Sequence, residues 1–330
     1  VSDRLTGFVR AVSRRVGGLG PTPATRELAA VRAAARDRVI ARHRGRADEL
    51  GRAIAAGEAA AAAELAALGN RALGELRDQV SADVTGPVRR LLAAGDARWA
   101  ACDEPEYLDD PELDAELRQS IMRDLDRINE MLGSYELFLA ELLPLVAGDR
   151  GSAVLDLAAG HGGFALASAR AASARGIDLR FTASDIKREY LDMGAAVAER
   201  EGLDVDFAVQ DALDLSNLDH GAYDIITCTQ SLHHFPPGLI TVMFETAARA
   251  AGRGVVFLDG CRSSMVGLWL AGVGLAGFRN RAFAHDAWVS TRRFFVPEEL
   301  ELLARLGSWG DGVESRWLSP GYCLLRLAVS

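Results

Sequence analysis

The chain has 330 residues, of which 49% are hydrophobic and 25% charged, with a formal net charge of −9. So much apolar side chain can bury a core, which excludes disorder of the chain as a whole, and the length suits two domains or one large one. The acidic balance argues against nucleic acid as a partner, and no stretch reaches the ~20 apolar residues that cross a bilayer.

The opening residues VSDRLTGFVRAVSRRVGG lack the unbroken apolar core of a signal peptide. The four cysteines, Cys102, Cys228, Cys261 and Cys323, show neither metal-ligand spacing nor a disulfide framework. A reducing, cytoplasmic setting and no metal are expected. Lys187 is the only lysine; arginine supplies every other basic side chain, throughout the chain instead of at one place.

Residues 1–103 read as an all-helical region rich in Ala and Arg. An amphipathic stretch, Leu5 to Val16, is broken by Gly17-Gly18-Leu19-Gly20-Pro21-Thr22-Pro23. Thr25 then caps a long helix in which Leu28, Val31, Ala35, Val39 and Leu50 lie near one face. The alanine-rich run 57–76 predicts a second helix, and Gly86-Pro87 precedes a third, Val88 to Ala94. This region is either a scaffold, packed on the rest of the chain or on a second copy in a homodimer, or a docking module for an acidic partner or membrane surface.

From residue 104 the pattern changes. Asp110-Pro111 starts a short helix and Gly133-Ser134 separates two more. Strands are expected over Ala153 to Ala158, Leu179 to Ser184, Val205 to Val209, Tyr223 to Thr227 and Gly254 to Leu258. Helices alternate with them over Phe164 to Ala174, Arg188 to Glu201 and Leu239 to Ala251. Continuous apolar runs such as DIITC and GVVFL suit strands covered on both faces. The alternation predicts a doubly wound α/β domain over 104–330, with a parallel sheet. Val313 to Leu318 and Tyr322 to Val329, joined by Ser319-Pro320-Gly321, add a C-terminal antiparallel hairpin.

The sharpest signal is VLDLAAGHGGF, residues 154–164, where a strand runs through small residues into a helix. Such a turn lets the backbone approach a ligand closely, and amides at the helix start can meet its polar groups. Asp156 stands just before the turn, where a carboxylate can hold a cationic amine. Asp185 ends the second strand, farther along than the usual spacing of about 20 residues, and is placed to accept from ribose hydroxyls. Asp211-Ala212 ends the third strand, where a carboxylate can take an exocyclic adenine amine. Three acids at successive strand ends share the binding edge of such a sheet. Each one singly is more often a helix cap or a solvated side chain.

VLDLAAGHGG, ASDI, QDA and YDIITCTQSLHHF together resemble the cofactor site of class I S-adenosylmethionine-dependent methyltransferases, in the broad group that includes quinone and natural-product enzymes. The resemblance covers about residues 104–330. It implies a seven-stranded Rossmann-like sheet, S-adenosylmethionine as methyl donor, and a small-molecule acceptor. Carried onto this chain, it implies Asp156 for the methionine amino group, Asp185 for ribose and Asp211 for adenine. Ala158, Gly160, His161, Gly162, Ile186, Ala212, Cys228 and Thr229 would complete the donor site. Ala158 stands where the family usually has glycine.

His233 and His234 follow the fourth strand. A neutral imidazole can take a proton from an attacking hydroxyl, and His233 is the preferred base; otherwise the rings pack beneath the turn. His161 is expected to contribute backbone more than ring, and His285 is an alternative substrate contact. The apolar segment 265–278, with Trp269 and Phe278, reads as a lid over a hydrophobic or aromatic acceptor, or else as a core or dimer helix. Arg292, Arg293, Phe294 and Phe295 close it before Pro297 starts the next helix. O-methylation is favoured over C- or N-methylation. The other readings are a non-catalytic binding protein and a nicotinamide-dependent oxidoreductase, which would want G-x-G-x-x-G in place of DLAAGHGG.

Overall fold

A computed structural model describes residues 23–58, 60–146, 151–309 and 312–329. The amphipathic stretch Leu5 to Val16 and most of the Gly/Pro break lie outside the described residues. Three helices come first: α1 (Pro23–Ala55), α2 (Ala61–Asp83) and α3 (Pro87–Ala100). α1 begins two residues before Thr25, so that threonine lies inside the helix and does not cap it. α3 runs six residues past Ala94 because its last turn is anchored: the Trp99 indole donates to the Thr291 carbonyl (3.1 Å). Asp110-Pro111 forms a turn. The next helix, α4 (Ala115–Leu132), starts behind Asp114, whose carboxylate accepts from the Glu116 and Leu117 amides at 3.0 Å. Gly133, left-handed, divides α4 from α5 (Ser134–Leu142).

Strand and helix then alternate: β1 (Ser152–Leu157), α6 (Gly163–Arg175), β2 (Leu179–Asp185), α7 (Arg188–Glu201), β3 (Val205–Val209), β4 (Tyr223–Thr229), α8 (Pro237–Ala250) and β5 (Ala251–Gly260). The lid follows as α9 (Ser264–Gly272), a π-helical piece over Val273–Phe278, and α10 (Arg281–Arg293). After α11 (Pro297–Arg305) come β6 (Val313–Leu318) and β7 (Tyr322–Ala328). The seven strands lie in the order β3-β2-β1-β4-β5-β7-β6, the first five parallel and β7 antiparallel to both neighbours. β1 and β4 are adjacent and chain direction across the sheet reverses between them, which opens a crevice at their carboxyl ends.

The runs expected to be covered on both faces are so: Ile225, Ile226 and Val255 to Leu258 are fully buried. One side of the sheet packs on α8, α11, α1 and α2 in a single core containing Val39, Leu65, Leu76, Phe244 and Leu300. α2 and α8 approach at Gly69 and Gly238; a Cβ on Gly238 would overlap the Ala66 backbone, so only glycine permits this crossing. The Asn70 side chain accepts from the Gly238 amide there (2.8 Å).

A buried charge knot fixes α3 to the sheet. The Arg262 guanidinium, 3% exposed, meets Asp96 of α3 (2.9 and 3.0 Å) and Glu299 of α11 (2.7 and 3.1 Å). Arg77 of α2 also reaches Glu299 (2.9 Å). Burial opposes the Glu299 charge, yet Arg262 and Arg77 outweigh it and hold the carboxyl down at about 2. The pair therefore adds stability above the ordinary carboxylate value of 4.5 and loses it as pH falls toward 2. Arg262→Ala, which leaves Glu299 to Arg77 and Asp96 to Arg32 alone, is expected to cost roughly 3 kcal/mol at neutral pH. Urea unfolding should show that deficit shrinking on acidification; an unchanged midpoint contradicts it.

Candidate active site

The turn from β1 into α6 is held by its neighbours. Ala158, Gly160 and Gly162 all have left-handed backbone, with φ of 50, 57 and 77°. For an alanine that conformation costs about 1–2 kcal/mol, and Ala158 is kept in it by Ser231 Oγ on its carbonyl (2.8 Å). At Gly162 a Cβ would sit 3.0 Å from Ala183 Cβ and 3.1 Å from the Phe207 ring, so the third position of the turn has no room for a side chain. Asp185, the last residue of β2, takes the Gly160 amide on one oxygen and the Lys187 amide on the other, both at 2.9 Å.

A cavity of about 450 Å³ opens above the carboxyl ends of β1, β2, β4 and β5. Of the residues expected from sequence, Ala158, Gly160, His161, Asp185, Ile186, Thr229 and His233 line it. Gly162 lies behind the turn, and Cys228 and Ala212 are buried beneath it. Asp156 is also off the cavity wall, 1% exposed, with the Thr229 hydroxyl 3.4 and 3.5 Å from its two oxygens. Burial pushes its carboxyl well above the usual range, and Asp185 nearby adds to the shift. Asp211 is exposed, outside the lining, and accepts from the Leu213 amide (2.9 Å).

Helix α4 supplies the opposite wall and a set of contacts not foreseen from sequence. Asp126 accepts from Tyr135 Oη (2.9 Å) and meets His161 Nε2 (2.8 Å), so the His161 ring, and not only its backbone, ties the glycine turn to α4. Asn129 Oδ1 accepts from Gln230 Nε2 (2.9 Å), fixing the turn after β4, where Gln230 is itself left-handed.

The far end of the cavity is polar. His233, on a short 3₁₀ turn after β4, has Nδ1 2.9 Å from Asp259, the penultimate residue of β5. Asp259 also accepts the His233 and Gly260 amides (2.9 and 2.7 Å). An ionised carboxylate only accepts, so the His233 proton sits on Nδ1 and Nε2 keeps its lone pair. That Nε2 has Glu106 Oε1 at 3.7 Å, beyond hydrogen-bond reach. His234 stacks obliquely on His233, its Nε2 4.0 Å from Glu106 and its Nδ1 3.3 Å from Asp109. Ser290 donates to Glu106 (2.9 Å), and Arg293 bonds Asp109 at 3.0 Å, with Glu106 at 3.6 Å. Phe294 closes edge-on over the His233 ring.

Between these ends the wall is apolar: Met122, Leu125, Ile128, Trp269, Leu270 and Phe283. Trp269 takes the place expected of it, but Phe278 turns away from this cavity onto Phe283. His285 also lies outside the lining, bound to Asp286 (3.0 Å) and Glu104 (3.1 Å). Asp259 carried the same signal as Asp156, an acid closing an apolar strand. Glu106 had none; it sits in an acidic run, and only the fold brings it to His233.

Burial lifts the Glu106 carboxyl to about 7, against the opposing pull of His234 and Ser290. Between 4.5 and 7 the folded protein holds a proton that the unfolded chain releases, so this group makes stability fall as pH rises through that window. Glu106→Gln keeps the shape and removes the ionisation. The variant is expected to gain on the wild type by roughly 1–3 kcal/mol between about pH 5 and 8. Denaturant unfolding at both pH values measures it, and a constant difference between the two proteins contradicts it.

Residues 154–254 match a family model described as a methyltransferase domain. No curated protein sequence matches the chain. Among solved structures the chain is similar to the plantazolicin methyltransferase BpumL in complex with SAH, at 13% identity over 74% of this chain and 99% of that one, with a TM-score of 0.48. It is similar also to magnesium protoporphyrin IX methyltransferase from Synechocystis PCC 6803 with bound SAH, at 18% identity over 72% and 95%, TM-score 0.42. A SAM-dependent methyltransferase from Aquifex aeolicus shares 13% identity over 58% and 89%, TM-score 0.40. With this strand order and glycine turn, the matched segment gives the chain a methyltransferase domain over residues 154–254.

Proposed function

We propose that the enzyme methylates a hydroxyl oxygen of a small acceptor with an apolar or aromatic body. One observation carries this reading: His233 Nε2, with its lone pair free, stands at the polar end of a cavity whose remaining wall is Met122, Leu125, Ile128, Trp269 and Phe283. A ligand that fills such a space has one ionisable group on a hydrophobic frame.

The donor end suits S-adenosylmethionine on five features. Asp156 is a buried acid with no cation among the described residues, so an ammonium brought near it through Thr229 would favour its charged form. A Cβ built on Gly160 meets nothing within 4 Å, which leaves the turn open on that side. Asp185 spends one lone pair of each oxygen on an amide and keeps others for ribose hydroxyls. Ile186, 69% exposed at the rim, offers an apolar face to adenine, and Asp211 its carboxylate to the exocyclic amine. Ala158, His161, Gly162, Ala212 and Cys228 shape the site through backbone and packing.

The sulfonium supplies an already activated methyl group. The chain's own work is alignment, exclusion of water and proton removal. Orientation in the best cases contributes about 7–11 kcal/mol. His233 takes the acceptor's proton on Nε2 while Asp259 balances the charge formed, an effect of about 10²–10⁴-fold. Within the helical region, α1 and α2 act as a scaffold that backs the sheet, and α3, pinned by Arg262, supports the lid.

Isothermal titration should show S-adenosylhomocysteine binding, weakened roughly tenfold or more in Asp185→Ala, which removes hydrogen bonds to a charged group. Absent binding, or binding indifferent to that change, contradicts the donor site. Mass spectrometry against phenols, quinones and amines should find a phenolic product heavier by one methyl group. His233→Ala should then lower kcat about 10²–10⁴-fold with donor affinity retained. Methylation confined to amines, or an unchanged kcat, contradicts the acceptor reading.

A further inference from the structure

From Ser263 to Phe278 the lid has no charged residue, and it is apolar on both its faces. Inward, Val266, Trp269 and Leu270 line the cavity and Val273 is buried. Outward, Met265, Leu268 and Leu275 are 62, 62 and 55% exposed. A helix apolar all round belongs inside a core or against lipid, and this one has core on one side only. Met265 both lines the cavity and faces out, so the apolar surface runs unbroken from outside to the acceptor space.

Arginines border that surface. Arg279 and Arg281 follow the lid directly, and with Arg123 and Arg127 of α4 they line a surface groove beside Phe278. Arg127 is taken up by Asp124 (3.0 Å) and lies over the Phe278 ring. Asp124, the one acid in the groove, is shared with Asn280 (2.9 Å). Arg123, Arg279 and Arg281 are exposed and make no ion pair among the described residues. In a chain of net charge −9 this patch has the opposite sign to the whole.

We propose that the lid face bearing Leu268 and Leu275, flanked by Arg123, Arg279 and Arg281, docks on an anionic lipid surface and sets the acceptor cavity at the membrane interface. The leucines enter the headgroup boundary while the arginines meet lipid phosphates. Among the described residues no helix is long and apolar enough to cross a membrane, so the contact is peripheral. A second copy of the chain fits the patch less well, because a two-fold contact brings the same arginines face to face. The inference goes beyond methyl transfer and does not depend on the acceptor.

The test is co-sedimentation of the full chain with vesicles at low salt, in phosphatidylcholine alone and with about a quarter phosphatidylglycerol. Binding is expected to the anionic vesicles and to be reversed by salt. R279E/R281E and L268D/L275D should each reduce it roughly tenfold or more. Both variants should keep the wild-type melting temperature and S-adenosylhomocysteine affinity, which separates a failed lipid contact from a failed donor site. No binding to anionic vesicles, equal binding to neutral ones, or binding untouched by either variant overturns the proposal. So does a dimer in sedimentation velocity that L268D/L275D dissolves, which would make the patch a contact between copies.

Discussion

The site depends on one carboxylate. Asp185 closes β2 and receives the Gly160 amide on one oxygen and the Lys187 amide on the other. It thereby ties the β1–α6 turn to the start of α7, on the side of the crevice where direction across the sheet reverses. The clamp acts together with the Ser231 hydroxyl on the Ala158 carbonyl, which holds Ala158 in left-handed backbone. The parallel strands bring the two segments together, and the carboxylate sets their spacing before any ligand arrives.

The two ends of the cavity draw on different parts of the chain. The glycine turn, Asp185 and Thr229 belong to the matched segment 154–254. Glu106 and Asp109 come from the link between α3 and α4, the apolar wall from α4 and the lid, and Ser290 and Phe294 from α10 and its end. Asp259 joins the two by holding His233 from the neighbouring strand. The Arg262 knot gives this second set a fixed base, since it locks α3 and α11 to the segment after β5 through an almost fully buried guanidinium and the buried Glu299. The sheet thus carries the glycine turn and His233, and the helices packed over its edge supply the rest of the cavity wall.

Much of this was readable in advance. The apolar runs of β1, β4 and β5 mark a covered parallel sheet, and of the acids near the ends of β1 and β2, Asp185 stands on the cavity wall while Asp156 is buried off it. Boundaries failed where tertiary contacts override local punctuation: α3 continues to Ala100 because Trp99 and Asp96 are anchored, and Asp114, not Asp110, caps α4. Glu106 was invisible because no periodicity or spacing links it to His233; only the path of the chain over the cavity does. Phe278 and His285 misled for the converse reason. Near in sequence to cavity residues, they are rotated away by the π-helical piece and by an ion pair with Glu104.

If donor and acceptor share one cavity, the reacting methyl faces its His233–Glu106 end. A crystal structure with S-adenosylhomocysteine bound tests it most directly. The ribose is expected on Asp185 and the sulfur turned toward His233 Nε2, with open space between them. Density for the nucleoside away from Asp185, or a sulfur walled off from His233, would contradict it.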